Sequence, residues 1–528
     1  MKTSWRRLLL TTALVAIATS HDGFAPRAVS QEPFRSAPTA TSHPRSVSAK
    51  TPERDAETID DSEPLLHSLQ QRLDALERAE QQRRETDWNR GQAEVVGLAA
   101  LSDDSSPRDD LAATLGLRVA ELEERLRRRD AADSKAASAA SKKFTVRPFG
   151  RIHIDAATFN QDPANLATVG DAQNGVDIRR ARLGVEGEGF GRFFYRFDVD
   201  FVTFDSSTMT RPVIFDAYLD MKELPGVGNV RIGHFREPFS LERLCSTHDQ
   251  PFLERASVVN ALAPFRNVGV MAFDWNECET MTWSYGLFDE NTNEFGEDNN
   301  DRTGVAATGR VTWLPWYDET CQGESLLHLG ASYSFRHIGG NSTRQFASTP
   351  EVILKQGALI RTPNFVNTGL LPIGDYQIAG AEFSTVLGSL SVQGEYMFAA
   401  GDLSTGPSFF LHGGYVEGSY FWTGEHRNYI RQTGLYGAVV PHASFVRTAT
   451  TEGIQNGSGA WESTLRLSVV DLNDKSIAGG QMTDITAGLN WYYTVRSRVM
   501  FNYIRSNLDR GGVRSHADIL AMRFQYAF

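Results

Sequence analysis

From about residue 144 to its end, this chain alternates apolar and polar side chains with period two, and its arginines keep to one parity. In the stretch Ala517 to Phe528, one row reads Leu520, Met522, Phe524, Tyr526, Phe528; the other reads Ile519, Ala521, Arg523, Gln525, Ala527. Successive side chains on a strand point to opposite faces, so such a segment is a strand with one greasy and one wetter face. The rhythm recurs at Phe193, Tyr195, Phe197, Val199 and Phe201 against Phe194, Arg196, Asp198 and Asp200. It recurs again at Leu327 to Phe335 against His328 to Arg336, and at Leu465, Leu467 and Val469 against Thr464, Arg466 and Ser468. Strands of about 9–11 residues, tilted, cross a bilayer. They do so only as a closed barrel, because lipid cannot satisfy an open edge. A charge facing lipid costs about 2–4 kcal/mol near the midplane, which is a physical reason for arginines to share one parity. The competing fold is a soluble sandwich whose aromatic rows pack against each other.

Bulk numbers do not separate these folds. The chain has 528 residues, 41% hydrophobic and 22% charged. Its mean hydropathy is −0.34. Barrel strands are only half apolar, so such values fit either fold, and no apolar run reaches the ~18–20 residues of a membrane helix. A net charge of −12 argues against nucleic acid as a partner. The cysteines are Cys245, Cys278 and Cys321, an odd number that excludes a full disulfide framework. Cys278 and Cys321 fall in turns on the same side of the barrel, and their pairing stays open.

The expected organisation has five parts. Residues 1–20 read as a cleaved secretory signal: Lys2, Arg6 and Arg7 precede a short apolar run ending at Ala16-Ile17-Ala18. Residues 21–60 are a Ser/Thr/Pro-rich disordered linker. Residues 61–130 carry Leu66, Leu69, Leu73, Leu76 and then Leu115, Val119, Leu122, Leu126, the stripe of a short coiled coil or of two amphipathic helices. Residues 131–143 are an Ala/Ser/Lys tether, and 144–528 are the barrel.

Within 144–528 the alternation divides into roughly sixteen strands, the even number of single-chain bacterial barrels. Two outward connections are long enough to reach into the pore, Arg236 to Arg266 and Ile338 to Asp375. A third segment, Thr423 to Gly457, falls on the periplasmic side by parity and is unusually long there, so either it folds into the lumen or the strand count slips by two. Parity directs Arg180, Arg182, Arg196, Arg231, Arg310, Arg336, Arg466, Arg498 and Arg523 inward. Guanidinium groups stay charged and match phosphate or carboxylate oxygens two at a time, so an arginine ladder is a device for anions. Glu186, Asp198, Asp200, Asp216, Asp220, Glu395 and Glu417 share the same parity, so wall ion pairs are the competing role. In the first long connection, Arg236, Arg243, Arg255 and Arg266 are expected to be matched by Glu237, Glu242, Asp249 and Glu254. His153, His234, His328 and His412 stand singly, with neither metal-ligand spacing nor a nucleophile elbow nearby. No catalysis, cofactor or metal is expected.

The run Ile178-Arg179-Arg180-Ala181-Arg182-Leu183-Gly184-Val185-Glu186-Gly187 resembles the phosphate-selective porin O and P family. So do Phe215-Asp216-Ala217-Tyr218, Arg231 to Glu242, Phe252-Leu253-Glu254-Arg255, Thr423 to Tyr429 and Gly459 to Glu462, in the family's order. The resemblance covers 144–528. It implies a trimeric, sixteen-stranded barrel in the bacterial outer membrane that passes small anions such as phosphate, its pore narrowed by inward loops. Phosphate-selective members rely on lysines as well as arginines, whereas past Lys143 this chain has only Lys222, Lys355 and Lys475. The expected function is therefore passive diffusion of small anions, phosphate or polyphosphate among them. The alternative is a structural or adhesive barrel tied to the cell wall by its N-terminal helix.

Overall fold

The computed structural model describes Glu124 and residues 144–528 apart from 203–211, 291–303, 320–322, 340–342, 357–359, 405, 446–447, 451–452 and 456. The expected signal segment, linker, helical stripe (Glu124 aside) and tether lie outside the described residues, as does Cys321. Cys278 is exposed and Cys245 buried.

Sixteen long strands form one closed antiparallel ring. They are β1 (Arg147–Gln161), β2 (Gly175–Gly189), β3 (Phe193–Asp200), β4 (Val213–Leu224), β5 (Gly228–Arg236), β6 (Arg266–Trp275), β7 (Met281–Asp289) and β8 (Val305–Tyr317). The second half comprises β9 (Ser325–His337), β10 (Leu371–Leu387), β11 (Leu390–Leu403), β12 (Ser408–Phe421), β13 (Ala460–Asp474), β14 (Ile477–Thr494), β15 (Ser497–Arg510) and β16 (Val513–Ala527). Each pairs with its sequence neighbour, and β16 returns to β1, with Ala527 opposite Arg151 and Ala517 opposite Gln161. Phe528 and Gly150 exchange backbone hydrogen bonds of 3.0 Å in both directions. The Phe528 ring occupies the space a Cβ on Gly150 would need, so the glycine admits the terminal aromatic. Closure leaves no edge to satisfy in lipid.

The two rows separate as the alternation dictates. Leu520 is 62% exposed on the outside of β16, while Arg523 and Gln525 are fully buried inside it. Phe501 and Tyr503 on β15, Leu465 and Leu467 on β13, and Tyr333 and Phe335 on β9 likewise face outward and are exposed. A molecule that buries arginine and exposes leucine is inverted relative to a soluble sandwich, and the inversion fits hydrocarbon outside.

Strict alternation fails at one informative place. His153 of β1 pairs with Arg180, but Ile154 pairs with Ile178, so Arg179 is the extra residue of a β-bulge. Both Arg179 and Arg180 are consequently buried in the lumen. Without the bulge, Arg179 would project into lipid.

All three long connections fold inward. The first contains α1's successors in the chain: after α1 (Pro163–Val169), packed near β16, come α2 (Leu241–Leu244) and α3 (Ser257–Leu262). Phe239, Leu253, Val258, Val259 and Leu262 of this connection pack with Phe346, Val352, Leu354 and Phe365 of the second. Against them lies an apolar part of the inward row: Met397, Leu411, Val470, Met482, Met500, Ile504 and Ile519. The inward row is thus polar only where these segments leave it so. The third connection places Tyr429 and Tyr436 in a second buried cluster with Leu241, Leu326 and Val386.

Candidate functional site

Most lumenal arginines are held by carboxylates. Arg182 donates to Asp200 at 2.8 Å, and its guanidinium lies 3.6 Å from the Phe215 ring centre. Arg196 reaches Glu186 at 2.8 Å, with Asp198 at 3.7 Å and Asp216 at 3.8 Å. Arg231 grips Asp220 with two bonds of 2.7 and 2.9 Å. Arg310 donates to Glu382 at 2.9 Å and to the Gly434 carbonyl of the third inward segment at 3.0 Å. Each buried pair compensates charges that would otherwise be costly away from water.

Acids of the inward segments complete the scheme by crossing to the wall. Glu237 takes two bonds from Arg336, at 2.8 and 3.0 Å. Glu254 accepts from Arg179 at 2.9 Å and Arg523 at 2.7 Å, and lies 3.3 Å from Arg180. Three guanidinium groups hold its carboxyl well below the usual carboxylate range despite burial. Arg523 also pairs with Asp155 at 2.6 Å. Arg466 joins two segments, bonding Glu351 of the second at 2.6 Å and Glu242 of the first at 3.0 Å. Ser468 and Thr486 each donate to Glu351 at 2.6 Å. Glu351 has φ of 37°, a left-handed conformation that costs about 1–3 kcal/mol and persists only when its surroundings hold it.

The matching expected inside the first connection is therefore corrected. Glu237, Glu242 and Glu254 pair with wall arginines, because wall guanidinium groups reach them from strands far away in sequence. Arg266 pairs with Asp216 of β4 at 2.9 Å. Arg236 donates to the Leu244 and Cys245 carbonyls at 2.6 and 3.0 Å. Arg255 donates to the carbonyls of Glu242, Arg243 and Cys245, and Arg243 to those of Val259 and Ala263.

A second population follows from this exchange. Among the described residues, no ion pair involves Arg151, Arg236, Arg243, Arg255 or Arg498. Arg151 donates to Ser246 Oγ at 3.0 Å, and Arg498 to Tyr492 Oη at 3.0 Å. Among the described residues, the buried Nε atoms of Arg236, Arg243 and Arg498 have no hydrogen-bond partner. Asp249 lies near Arg498, Arg151 and Arg236, while Glu242 is the nearer acid for Arg243 and Arg255. With His248, Tyr492 and Arg498, Asp249 lines a small pocket at the end of the barrel where the last strand ends. Burial pushes the Asp249 carboxyl up to about 6, against the pull of Arg498, Arg151, Arg427 and Arg236. Burial, with Arg498 and Arg151, pushes the neighbouring His248 down to about 3, so it is neutral at ordinary pH. Parity identified Arg498 and holds equally for Arg151, which shares the row of His153 and Asp155 and pairs with Arg182; Arg179 escaped it because of the bulge.

The third segment is anchored by a relay. Tyr429 Oη lies 2.6 Å from His328 Nδ1, and His328 Nε2 lies 3.1 Å from Glu382. Tyr436 Oη and Ser384 Oγ are 2.6 Å apart.

An edge-free ring, apolar outside and arginine-lined within, with three chain segments folded into its bore, defines a transmembrane barrel of the porin class. The chain belongs to the family described as phosphate-selective porin O and P, which residues 146–528 match. It is 28% identical over 367 residues to an uncharacterized protein of Caulobacter vibrioides, covering 67% of each chain. Among solved structures, it is similar to the anion-selective porin from Comamonas acidovorans, at 12% identity and a TM-score of 0.45, covering 73% of this chain and 100% of that one. It is also similar to the outer membrane channel DcaP of Acinetobacter baumannii, at 9% identity and a TM-score of 0.42, covering 73% and 99%.

Proposed function

We propose that this protein is an outer-membrane channel through which small anions diffuse passively. The observation that carries the reading is the set of lumenal arginines with no ion-pair partner among the described residues, Arg151, Arg236, Arg243, Arg255 and Arg498, three of which, Arg151, Arg236 and Arg498, lie near the half-buried Asp249. Paired arginines present little net charge to an ion in transit. Unpaired ones make a field that raises local anion concentration and can replace part of an anion's water shell. Arg151, Arg196, Arg231 and Arg236 keep partial exposure, whereas the wall of β11–β16 towards the loop end is covered by inward segments, so the anion route follows β1–β6.

Phosphate is a fitting passenger, since guanidinium groups match its oxygens bidentately. The other sequence-selected arginines, Arg180, Arg182, Arg196, Arg231, Arg310, Arg466 and Arg523, then act as the frame, their acids holding the inward segments in place. Assembly as a homotrimer in lipid fits the family. The reversal potential in a salt gradient across a planar bilayer tests the reading: it should shift toward the chloride potential. A shift toward the potassium potential ends the anion assignment. A correctly inserted but silent barrel would favour the structural barrel tied to the cell wall.

A further inference from the structure

Inward apolar side chains on β11–β16 are covered by the folded-in segments. On β1–β6, among the described residues, those segments leave some inward aromatic rings uncovered. Phe149, Phe194, Tyr218 and Phe273 stay half-buried on the wet side of nearby strands, at the end of the barrel where β1 begins, Tyr218 and Phe273 resting by one side on the buried cluster of Phe235, Met271 and Phe288. The Phe149 ring lies against the β2 backbone at Gly184, where an added Cβ would meet it at 2.4 Å. Arg196 sits 4.1 Å above that ring. Phe194 and Tyr218 have ring centres 6.2 Å apart, and Arg231 lies 3.9 Å from Tyr218 and 5.3 Å from Phe273. Apolar surface left facing water is unfavourable, so a wet aromatic cluster that covering segments spare marks a binding face. Arg196 and Arg231 are neutralised by Glu186 and Asp220 and leave a face that is aromatic and planar rather than cationic. Arg151, next to Phe149 on the same face of β1, has no ion-pair partner among the described residues and donates to Ser246 Oγ.

We propose that this face binds organic anions bearing a flat apolar group, aryl carboxylates or aryl phosphates, with the ring on the aromatic cluster and the charged head toward Arg151. Rings gain from offset stacking on aromatic faces and from flanking guanidinium groups, while the head meets an unpaired cation. The proposal rests on the anion-channel reading and names a substrate class for it.

The test uses the full chain in a planar bilayer, with phenyl phosphate and inorganic phosphate compared as blockers of chloride current. Phenyl phosphate should reach half-block at a concentration roughly tenfold lower, the range that ring stacking and cation–π contact supply. The double variant Phe194→Ala with Phe273→Ala should abolish the difference and leave the chloride-over-potassium reversal potential unchanged. Phe194→Leu with Phe273→Leu, which keeps apolar volume, guards against misfolding and should also lose most of the difference. Equal half-block by the two probes, or a difference that survives both variants, overturns the aryl site. A cation-selective reversal potential instead overturns the channel reading. Calorimetric titration of the two probes into detergent-solubilised protein decides the aryl site even for a silent barrel.

Discussion

Glu254 of the first inward segment and Arg523 of the last strand lie 2.7 Å apart, although 269 residues separate them in the chain. Arg179 and Arg180 converge on the same carboxylate, so this acid pins the segment to both sides of the β16–β1–β2 seam. Glu254→Ala leaves buried guanidinium groups without their partner and should destabilise the folded state by about 3–5 kcal/mol. The expected readouts are a lower temperature for the folded-to-unfolded gel shift and a larger, noisier single-channel conductance.

The paired and unpaired arginines should respond differently to removal. Arg151→Ala or Arg236→Ala is expected to reduce the anion preference in reversal-potential measurements, since each removes a charge with no ion-pair partner among the described residues. Arg182→Ala removes a charge that Asp200 already compensates at 2.8 Å. Its expected signature is loss of stability with a smaller change in selectivity.

Asp249 gives the channel a pH dependence. Its carboxyl titrates near 6 in the folded barrel, above the ordinary aspartate value, so the acid is neutral below that pH and charged above it. Arg498, Arg151, Arg427 and Arg236 face it, and burial holds the neighbouring His248 down to about 3. Net positive charge around the segment therefore grows as pH falls, and anion selectivity should rise between pH 7.5 and about 5. Asp249→Asn should show the low-pH selectivity throughout.

Tyr429→Phe removes the hydroxyl that contacts His328 at 2.6 Å and should cost about 0.5–1.5 kcal/mol. Because the relay anchors the third inward segment, open-channel noise should increase with little change in mean selectivity.

On the outer face, Leu520→Arg should cost about 2–4 kcal/mol of folding free energy in vesicles, the penalty for charge against hydrocarbon. Equal stability of this variant and the parent would contradict a lipid-facing row.

The alternation of Leu520, Met522, Phe524 and Tyr526 with Arg523 and Gln525 determined the closed barrel, its strand number and which arginines point inward. That information is local: period two belongs to every extended strand, and water on one side with lipid on the other writes it into neighbouring residues. Only the tertiary structure decided which charge meets which. Glu351 finds Arg466, Glu254 finds Arg523, and Arg236 finds carbonyls instead of an acid, because folded-in segments bring together residues far apart in the chain. Arg179 turns inward through a bulge that exists only in pairing with β1, and Ile519 and Met482, inward by parity, can be apolar there because those segments pack on them. Transfer between lipid and water acts residue by residue and is legible in order; ion pairing and packing depend on distance in space, which order alone does not specify.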